Sequence, residues 1–290
     1  MSDATQFSSF RFEVNAAVAH IVLNRSDKRN CLVREFWYDL PQAVKLAERL
    51  PEVRCILLRA EGKMFSSGID LAVLQGLTAM GDGLELARKA DHLRRTVLSL
   101  QDAISALEET RLPVIAAIQG ACIGGALDVV CAADIRLAES ATAFTPLEMD
   151  FGFVPDLGTV QRLTANLPSA VVADWLMDCR TVSGDEAKHL GFVSRVVADA
   201  GELESMAVAL AERIAARSPV AIMGAKEVMK FTKEHGVKAS LRYTATWQSS
   251  VFPGDDVANC LKAKQTGGAP SHENMADDRP LYGKEDTLQQ

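Results

Sequence analysis

Gly120-Ala121-Cys122-Ile123-Gly124-Gly125-Ala126-Leu127-Asp128 is the stretch on which the fold turns. An apolar, strand-like run from Pro113 to Ile118 leads into it, and an apolar, helix-like run from Ala126 to Ala133 leads out. A glycine pair where a strand passes into a helix removes two Cβ atoms, so another group can come close to the backbone. The first amides of a helix have no intrahelical acceptor, and the helix dipole there favours negative charge. Asp128 follows Gly125 by three residues, about one helical turn, and shares its face. Free amides with a carboxylate beside them make a site for a developing oxyanion.

Strands and helices alternate on both sides of this motif. Phe10 to Val14 alternates at period two, Asn15-Ala16 turns, and Val18 to Leu23 returns, which predicts a hairpin. Polar residues 24–30 predict a loop. Helical periodicity runs from Val33 to Leu50, with Pro41 marking a kink or a fresh start. Arg54 to Leu58 reads as a short buried strand, Thr78 to Gly83 as a loop, and Leu84 to Glu109 as a long helix. Further strands are predicted over Asp134 to Leu137 and near Phe144. From Leu157 the pattern is helical, with segments starting near Ser169, Ser183, Glu202, Pro219, Lys238 and Asp255.

Interleaved strands and helices argue for an α/β fold. The expected organisation is a core over 1–200, an appended helical layer over 201–265 and a polar tail over 266–290, mobile or ordered only against a partner subunit. No internal repeat of fixed period is visible.

Composition narrows the function classes. The 290 residues carry 31 basic and 38 acidic side chains, a net charge of −7, which disfavours non-specific binding to nucleic acid or to an anionic membrane. None of the six cysteines forms a C-x-x-C pair or lies at zinc-ligand spacing, so no metal site is expected. Cys122 and Cys131 lie in apolar runs and read as buried small hydrophobes. The first residues, MSDATQFSSF, lack the pattern of a signal peptide, no run is long enough to span a membrane, and DTLQQ is not a peroxisomal tripeptide. The expected location is cytoplasmic.

A second glycine motif, Phe65-Ser66-Ser67-Gly68-Ile69-Asp70-Leu71, follows a strand and directs the Ile69 amide toward a cleft. Paired with the Gly125 amide it would form an oxyanion hole. Neither motif is a P-loop or G-x-G-x-x-G. Ser66 and Ser67 raise the idea of a nucleophile, but there is no G-x-S-x-G elbow and no histidine in any motif. The segment from Phe144 to Thr159 carries Glu148 and Asp156 among apolar neighbours, where carboxyl pKa values rise and proton exchange near neutral pH becomes feasible. Singly, each acid has a plain structural reading. Asp128 could complement its own helix dipole, Asp156 could be an N-cap, and Glu148 could face solvent.

KMFSSGIDL, GACIGGALD and FTPLEMDFGFVPDLGTVQRL, in this order, resemble the crotonase (enoyl-CoA hydratase/isomerase) superfamily over roughly residues 10–265. Within it the chain is most similar to the Δ3,5-Δ2,4-dienoyl-CoA isomerase subfamily, in the Asp after the second glycine motif, in a Glu and an Asp eight residues apart, in Arg29-Asn30 and in Ala245-Thr246-Trp247. The resemblance implies a spiral of ββα units with a C-terminal helical layer. It implies Ile69 and Gly125 as oxyanion-hole donors, Asp128, Glu148 and Asp156 as the catalytic acids, and an acyl-CoA thioester as substrate, with coenzyme A part of that substrate and no separate cofactor. Contacts to coenzyme A are implied for Lys28, Arg29, Ser66, Ser67, Gly68, Asp70 and Gly124. It also implies a homotrimer or dimer of trimers, with Lys226 or Lys230 reaching a neighbour's ligand. Typical hydratases of the family have Glu where this chain has Asp128 and Gly where it has Asp156, which moves the expectation from hydration to dienoyl isomerisation. The alternatives are 2-enoyl-CoA hydration, Δ3-Δ2-enoyl-CoA isomerisation, and a non-catalytic acyl-CoA- or RNA-binding member.

Overall fold

The computed structural model describes residues 7–276. Strands β1 (Arg11–Asn15) and β2 (Val18–Leu23) form the expected hairpin, with Arg11 opposite Val22 and Asn15 opposite Val18. β3 (Cys55–Ala60) and β4 (Val114–Ile118) continue the sheet in parallel. A second small sheet contains β5 (Ala121–Ile123). β6 (Ile135–Glu139) returns to the main sheet, β7 (Ala143–Thr145) and β8 (Val182–Ser183) join the small one, and β9 (Arg195–Val197) closes the main sheet. The orders are β1-β2-β3-β4-β6-β9 and β5-β7-β8.

Both faces of the main sheet are covered, as a mostly parallel sheet requires. Side chains alternate between them. Ile56 and Leu58 face a core with Phe36, Leu40 and Ala43 of α1 (Phe36–Arg49) and with Ile104 and Leu107 of a long helix over Leu86–Glu109. Cys55 and Leu57 face the opposite way, onto Leu203, Ala207, Leu210 and Ala211 of a helix over Ala200–Ala215. Cys122 and Cys131 are buried as expected, and all six cysteines are free.

The chain winds as the expected spiral. Each turn lays a strand in the main sheet, then a short one in the small sheet, then a helix. The first turn runs β3, then Ser66, which bridges in parallel to Cys122, then α2 (Leu71–Thr78) and α3 (Leu86–Glu109). The second runs β4, β5 and α4 (Gly125–Cys131). The third runs β6, β7 and α5 (Thr159–Asn166). The remaining helices are α6 (Ser169–Met177), α7 (Gly184–Leu190), α8 (Ala200–Ala215), α9 (Pro219–Val251) and α10 (Asp255–Thr266).

Several local expectations change. Helix α2 forms where none was predicted, capped by Asp70, whose Oδ1 accepts from the Ala72 amide at 2.8 Å. Pro41 sits inside α1 without ending it, at the cost of one backbone hydrogen bond. Strands β8 and β9 have two and three residues, too few for a period to register. Helix α8 is part of the core rather than an outer layer. The separate segments expected from Pro219 and from Lys238 are borne out: helix α9 breaks at Gly236 (φ 76°) and its halves fold back on each other, with Phe231 stacked on Tyr243 and Trp247 against Gly224. The described part of the tail is tied to its own chain. Arg54 donates Nη2 to the carbonyl of His272 and to Oδ1 of Asn274, at 2.7 and 2.8 Å, so no partner subunit is needed to order it. Residues 277–290 lie outside the described residues.

Candidate active site

The spiral stacks equivalent positions of successive turns. Ser66 lies beside Cys122, and Cys122 beside Phe144. Three residues beyond these come Ile69, Gly125 and Leu147, the last followed by Glu148. Parallel pairing thus gathers three segments that are distant in sequence onto one edge of the small sheet.

Glycine is required where the segments touch. Gly68 has φ +87°, and a Cβ there would stand 2.5 Å from the carbonyl oxygen of Ile123. A Cβ on Gly125 would stand 2.7 Å from Cγ1 of Ile69 and 3.6 Å from its amide nitrogen. The carbonyl of Gly68 accepts from the Leu32 amide at 2.8 Å, so the trans peptide turns the Ile69 N–H the opposite way. The carbonyl of Gly124 accepts from the Leu127 amide at 2.7 Å, which likewise turns the Gly125 N–H outward. Among the described residues neither the Ile69 nor the Gly125 amide donates a hydrogen bond. Both residues line a cavity of about 370 Å³.

Three carboxyl groups lie near one another here; Glu148 is in the cavity wall, and Asp128 and Asp156 are not. Glu148 opens a short 3-10 turn, Glu148–Phe151, and lines the same cavity; it is 7% exposed, which removes the reading in which it faces solvent. Burial raises its pKa, and the nearby Asp156 adds to the effect. Asp128 is buried on α4. Its pKa is pushed up to about 7, first by burial and next by Glu148, against the opposing effect of Thr159. Its Oδ1 accepts from the Thr159 amide at 2.7 Å, so it caps the start of α5 rather than complementing its own helix. Asp156 is half-buried on the loop before α5, and burial raises its pKa. It is not an N-cap, because that position belongs to Gly158, which has no side chain to offer. Asp128 feels both of the others and Glu148 feels Asp156, so their titrations are linked.

The cavity wall also contains Arg29, Ser67, Gly68, Asp70 and Gly124. Asp70 is committed to capping α2, which lowers its pKa, and also accepts from the Cys31 thiol at 3.2 Å. Lys28 is exposed at the end of the Ser26–Lys28 turn and does not line the cavity. Ser66 is a correction. It is fully buried, its hydroxyl donates to the Asn30 carbonyl at 2.7 Å and accepts from the Gly68 amide at 3.1 Å, and nothing of it is left for a ligand. Lys226 is one of the two lysines between which the sequence could not decide. Its buried ammonium pairs with Asp134 at 2.8 Å and donates to the Leu107 and Leu112 carbonyls, while Lys230 pairs with Glu109. Trp175 and Trp247 pack, the first against Phe192 and the second against Gly224.

Sequence reasoning gave no positioning role to the groups that hold the site, although Asn30 and Arg162 lie in stretches that carry the family resemblance. Asn30 donates Nδ2 to the Glu61 and Met64 carbonyls and so fixes the loop that receives Ser66. Gln101 donates to the Asp156 carbonyl, and Arg162 to the Leu157 carbonyl. Only a positive-φ pair at Arg29 and Asn30 marks a local peculiarity, and φ is not visible in a sequence.

The model of the family described as enoyl-CoA hydratase/isomerase matches residues 13–267. The peroxisomal Delta(3,5)-Delta(2,4)-dienoyl-CoA isomerase of Arabidopsis thaliana is 38% identical over 90% of this chain and 94% of its own. The mitochondrial enzyme of the same name from Mus musculus is 36% identical over 85% and 76%. Among solved structures, a protein described as a putative enoyl-CoA hydratase from Streptomyces coelicolor A3(2) superposes with a TM-score of 0.84 at 27% identity, covering 95% of this chain and 98% of that one. The cytoplasmic expectation has no counterpart in the first two names, which place those relatives in organelles. Among the described residues no helix is long and apolar enough to cross a membrane.

Proposed function

Because the chain belongs to the enoyl-CoA hydratase/isomerase family, we propose that it is an acyl-CoA isomerase converting 3,5-dienoyl-CoA to 2,4-dienoyl-CoA. The observation that carries this reading is the group of three buried or half-buried carboxyls, Asp128, Glu148 and Asp156, beside two unpaired amides. The names of the relatives from Arabidopsis thaliana and Mus musculus point the same way.

The chemistry asks for this set. Asp156 takes a proton from C2 of the thioester. The electron pair spreads over an extended dienolate whose charge gathers on the thioester oxygen, where the Ile69 and Gly125 amides receive it. Each such donor is worth about 10²–10³ in rate. Glu148 delivers a proton to C6, leaving double bonds at C2 and C4. One proton has left and one has arrived, so Asp156 ends protonated and Glu148 ionised, and solvent resets the pair. C2 and C6 are too far apart for one short carboxyl to serve both. Asp128 assists through its charge and by capping α5. A raised pKa suits both roles, because each acid must exchange its proton near neutral pH. Arg29, Ser67, Gly68, Asp70 and Gly124 border the coenzyme A moiety, with Lys28 contributing charge from the rim. Coenzyme A enters as part of the substrate, and we invoke no separate cofactor. Association into trimers through the C-terminal helices belongs to the same reading.

The direct test is to mix the protein with a 3,5-dienoyl-CoA and follow the ultraviolet band of the conjugated 2,4-dienoyl thioester. The band should grow with turnover; its absence with folded protein refutes the proposal. Asp156→Asn separates isomerase from hydratase. The isomerase reading expects a loss of about 10²–10⁴ in kcat, whereas undiminished hydration of a 2-enoyl-CoA by that variant would favour a hydratase.

A further inference from the structure

Asp156 is carried on a loop, and the proposed scheme needs its carboxylate placed to a fraction of an ångström. Leu157 anchors the loop by its buried side chain, yet a side chain buried at 157 leaves the preceding peptide free to rotate. A polar clamp removes that freedom. Gln101 of α3 donates Nε2 to the carbonyl of Asp156 itself at 2.6 Å. Arg162 donates Nη1 to the next carbonyl, that of Leu157, at 3.2 Å. The same guanidinium donates Nη2 to Ser105 Oγ at 3.0 Å and Nε to Glu108 at 2.9 Å.

Gln101, Ser105 and Glu108 are spaced four and three residues apart, so one face of α3 supplies the whole support. Gly158, at φ +124°, leaves the space that the Arg162 guanidinium fills. On the far side of the loop Asp128 accepts from the Thr159 amide. Behind the clamp lies a cavity of about 550 Å³ between α3, α5 and α9. On that side hydrogen bonds, rather than packed apolar side chains, decide where the Asp156 peptide stands.

We propose that Gln101 is a positioning residue for the reaction: by holding the Asp156 carbonyl it sets the direction and depth of the Asp156 carboxylate. Gln101 does not touch substrate and acts only through Asp156, so this inference rests on the functional reading above. Arg162 has the same role at the neighbouring carbonyl.

Gln101→Met keeps length and helix propensity and removes the donor. The expected result is a fall in kcat of about 10- to 100-fold with KM changed less than about twofold. The acid limb of the kcat–pH profile should also move down by roughly half a unit, because a loosened carboxylate regains water and its burial-raised pKa relaxes. Asp128, which acts through its charge, is unaltered, and Glu148, which must be protonated to act, sets the alkaline limb instead. A kcat within about twofold of the parent, or a lower kcat with an unmoved limb, overturns the proposal. Arg162→Lys keeps the charge but cannot fork between two acceptors, and should give the same two changes in smaller measure. If the parent protein makes no 2,4-dienoyl-CoA, the functional reading fails by itself. The positioning claim is then decided by ¹³C titration of the Asp156 carboxyl in Gln101→Met: a lowered pKa supports it and an unchanged one overturns it.

Discussion

In the spiral core every residue of β2 and β4 is buried, whereas α9 buries five of its 33 residues and leaves Met229, Val237 and Leu241 exposed. Helix α10 buries only Ala263 and exposes Leu261. The core completes its contacts within one chain, and the amides and carboxyls of the site are held by those contacts. The outer helices leave these apolar side chains largely uncovered by the other described residues, the condition that favours association. Changes at the site should therefore alter chemistry and stability, and changes on α9 and α10 should alter assembly.

The largest effect that sharpens this contrast is expected at Gly125. Gly125→Ala drives a Cβ into Ile69, so one donor or the other must turn away. A loss of about 10²–10³ in kcat is expected, with dienoyl-CoA turnover as the readout. A variant that turns over like the parent would break the assignment of these amides.

Asp128→Asn should move stability as well as turnover. The pKa of Asp128 is pushed up to about 7, above the ordinary carboxylate value of about 4 that holds in the unfolded chain. The folded protein then binds the proton more tightly, and parent stability falls as pH rises between these values. Asparagine keeps an oxygen for the Thr159 amide and never ionises. In urea denaturation the variant should match the parent near pH 4 and exceed it at pH 8, by about 2–4 kcal/mol at most. An advantage independent of pH would sink the buried-charge account.

The smallest effect on the fold is expected at Leu241, exposed on α9. Leu241→Asp should change the unfolding free energy of the subunit by no more than about 0.5 kcal/mol while shifting sedimentation toward smaller species. A monodisperse parent of unaltered size in both proteins would remove the contrast between core and outer helices.

Much of the site was legible because its parts carry local signals. The glycines at 68, 124 and 125, the acids at 128, 148 and 156, and the hairpin at the start all appear in motifs of a few residues. The three-turn spiral was legible through the family resemblance and not through any period, because its repeat is uneven: Ser66 to Cys122 spans 56 residues and Cys122 to Phe144 only 22, the difference being the inserted α2 and α3. The family resemblance implied Ser66, with Ser67 and Gly68, as a coenzyme A contact. Adjacent residues of an extended segment point to opposite sides, and only the pairing with Cys122 shows that Ser66 points inward.

By itself the sequence determined the residue types and their local conformations: amides freed by glycine, carboxyls in apolar surroundings, and strands and helices in alternating order. Those properties follow from short-range sterics and from hydrophobic periodicity, which act over a few residues. The tertiary structure alone decided which groups meet. It set the Ile69 amide against Gly125, turned Asp128 to the first amide of α5, sealed Ser66 away from any ligand, paired Lys226 with Asp134, and brought Gln101 of α3 to the carbonyl of Asp156, 55 residues away. Contacts across such separations depend on how parallel strands stack and how helices cover them, and no local pattern in the chain records that register.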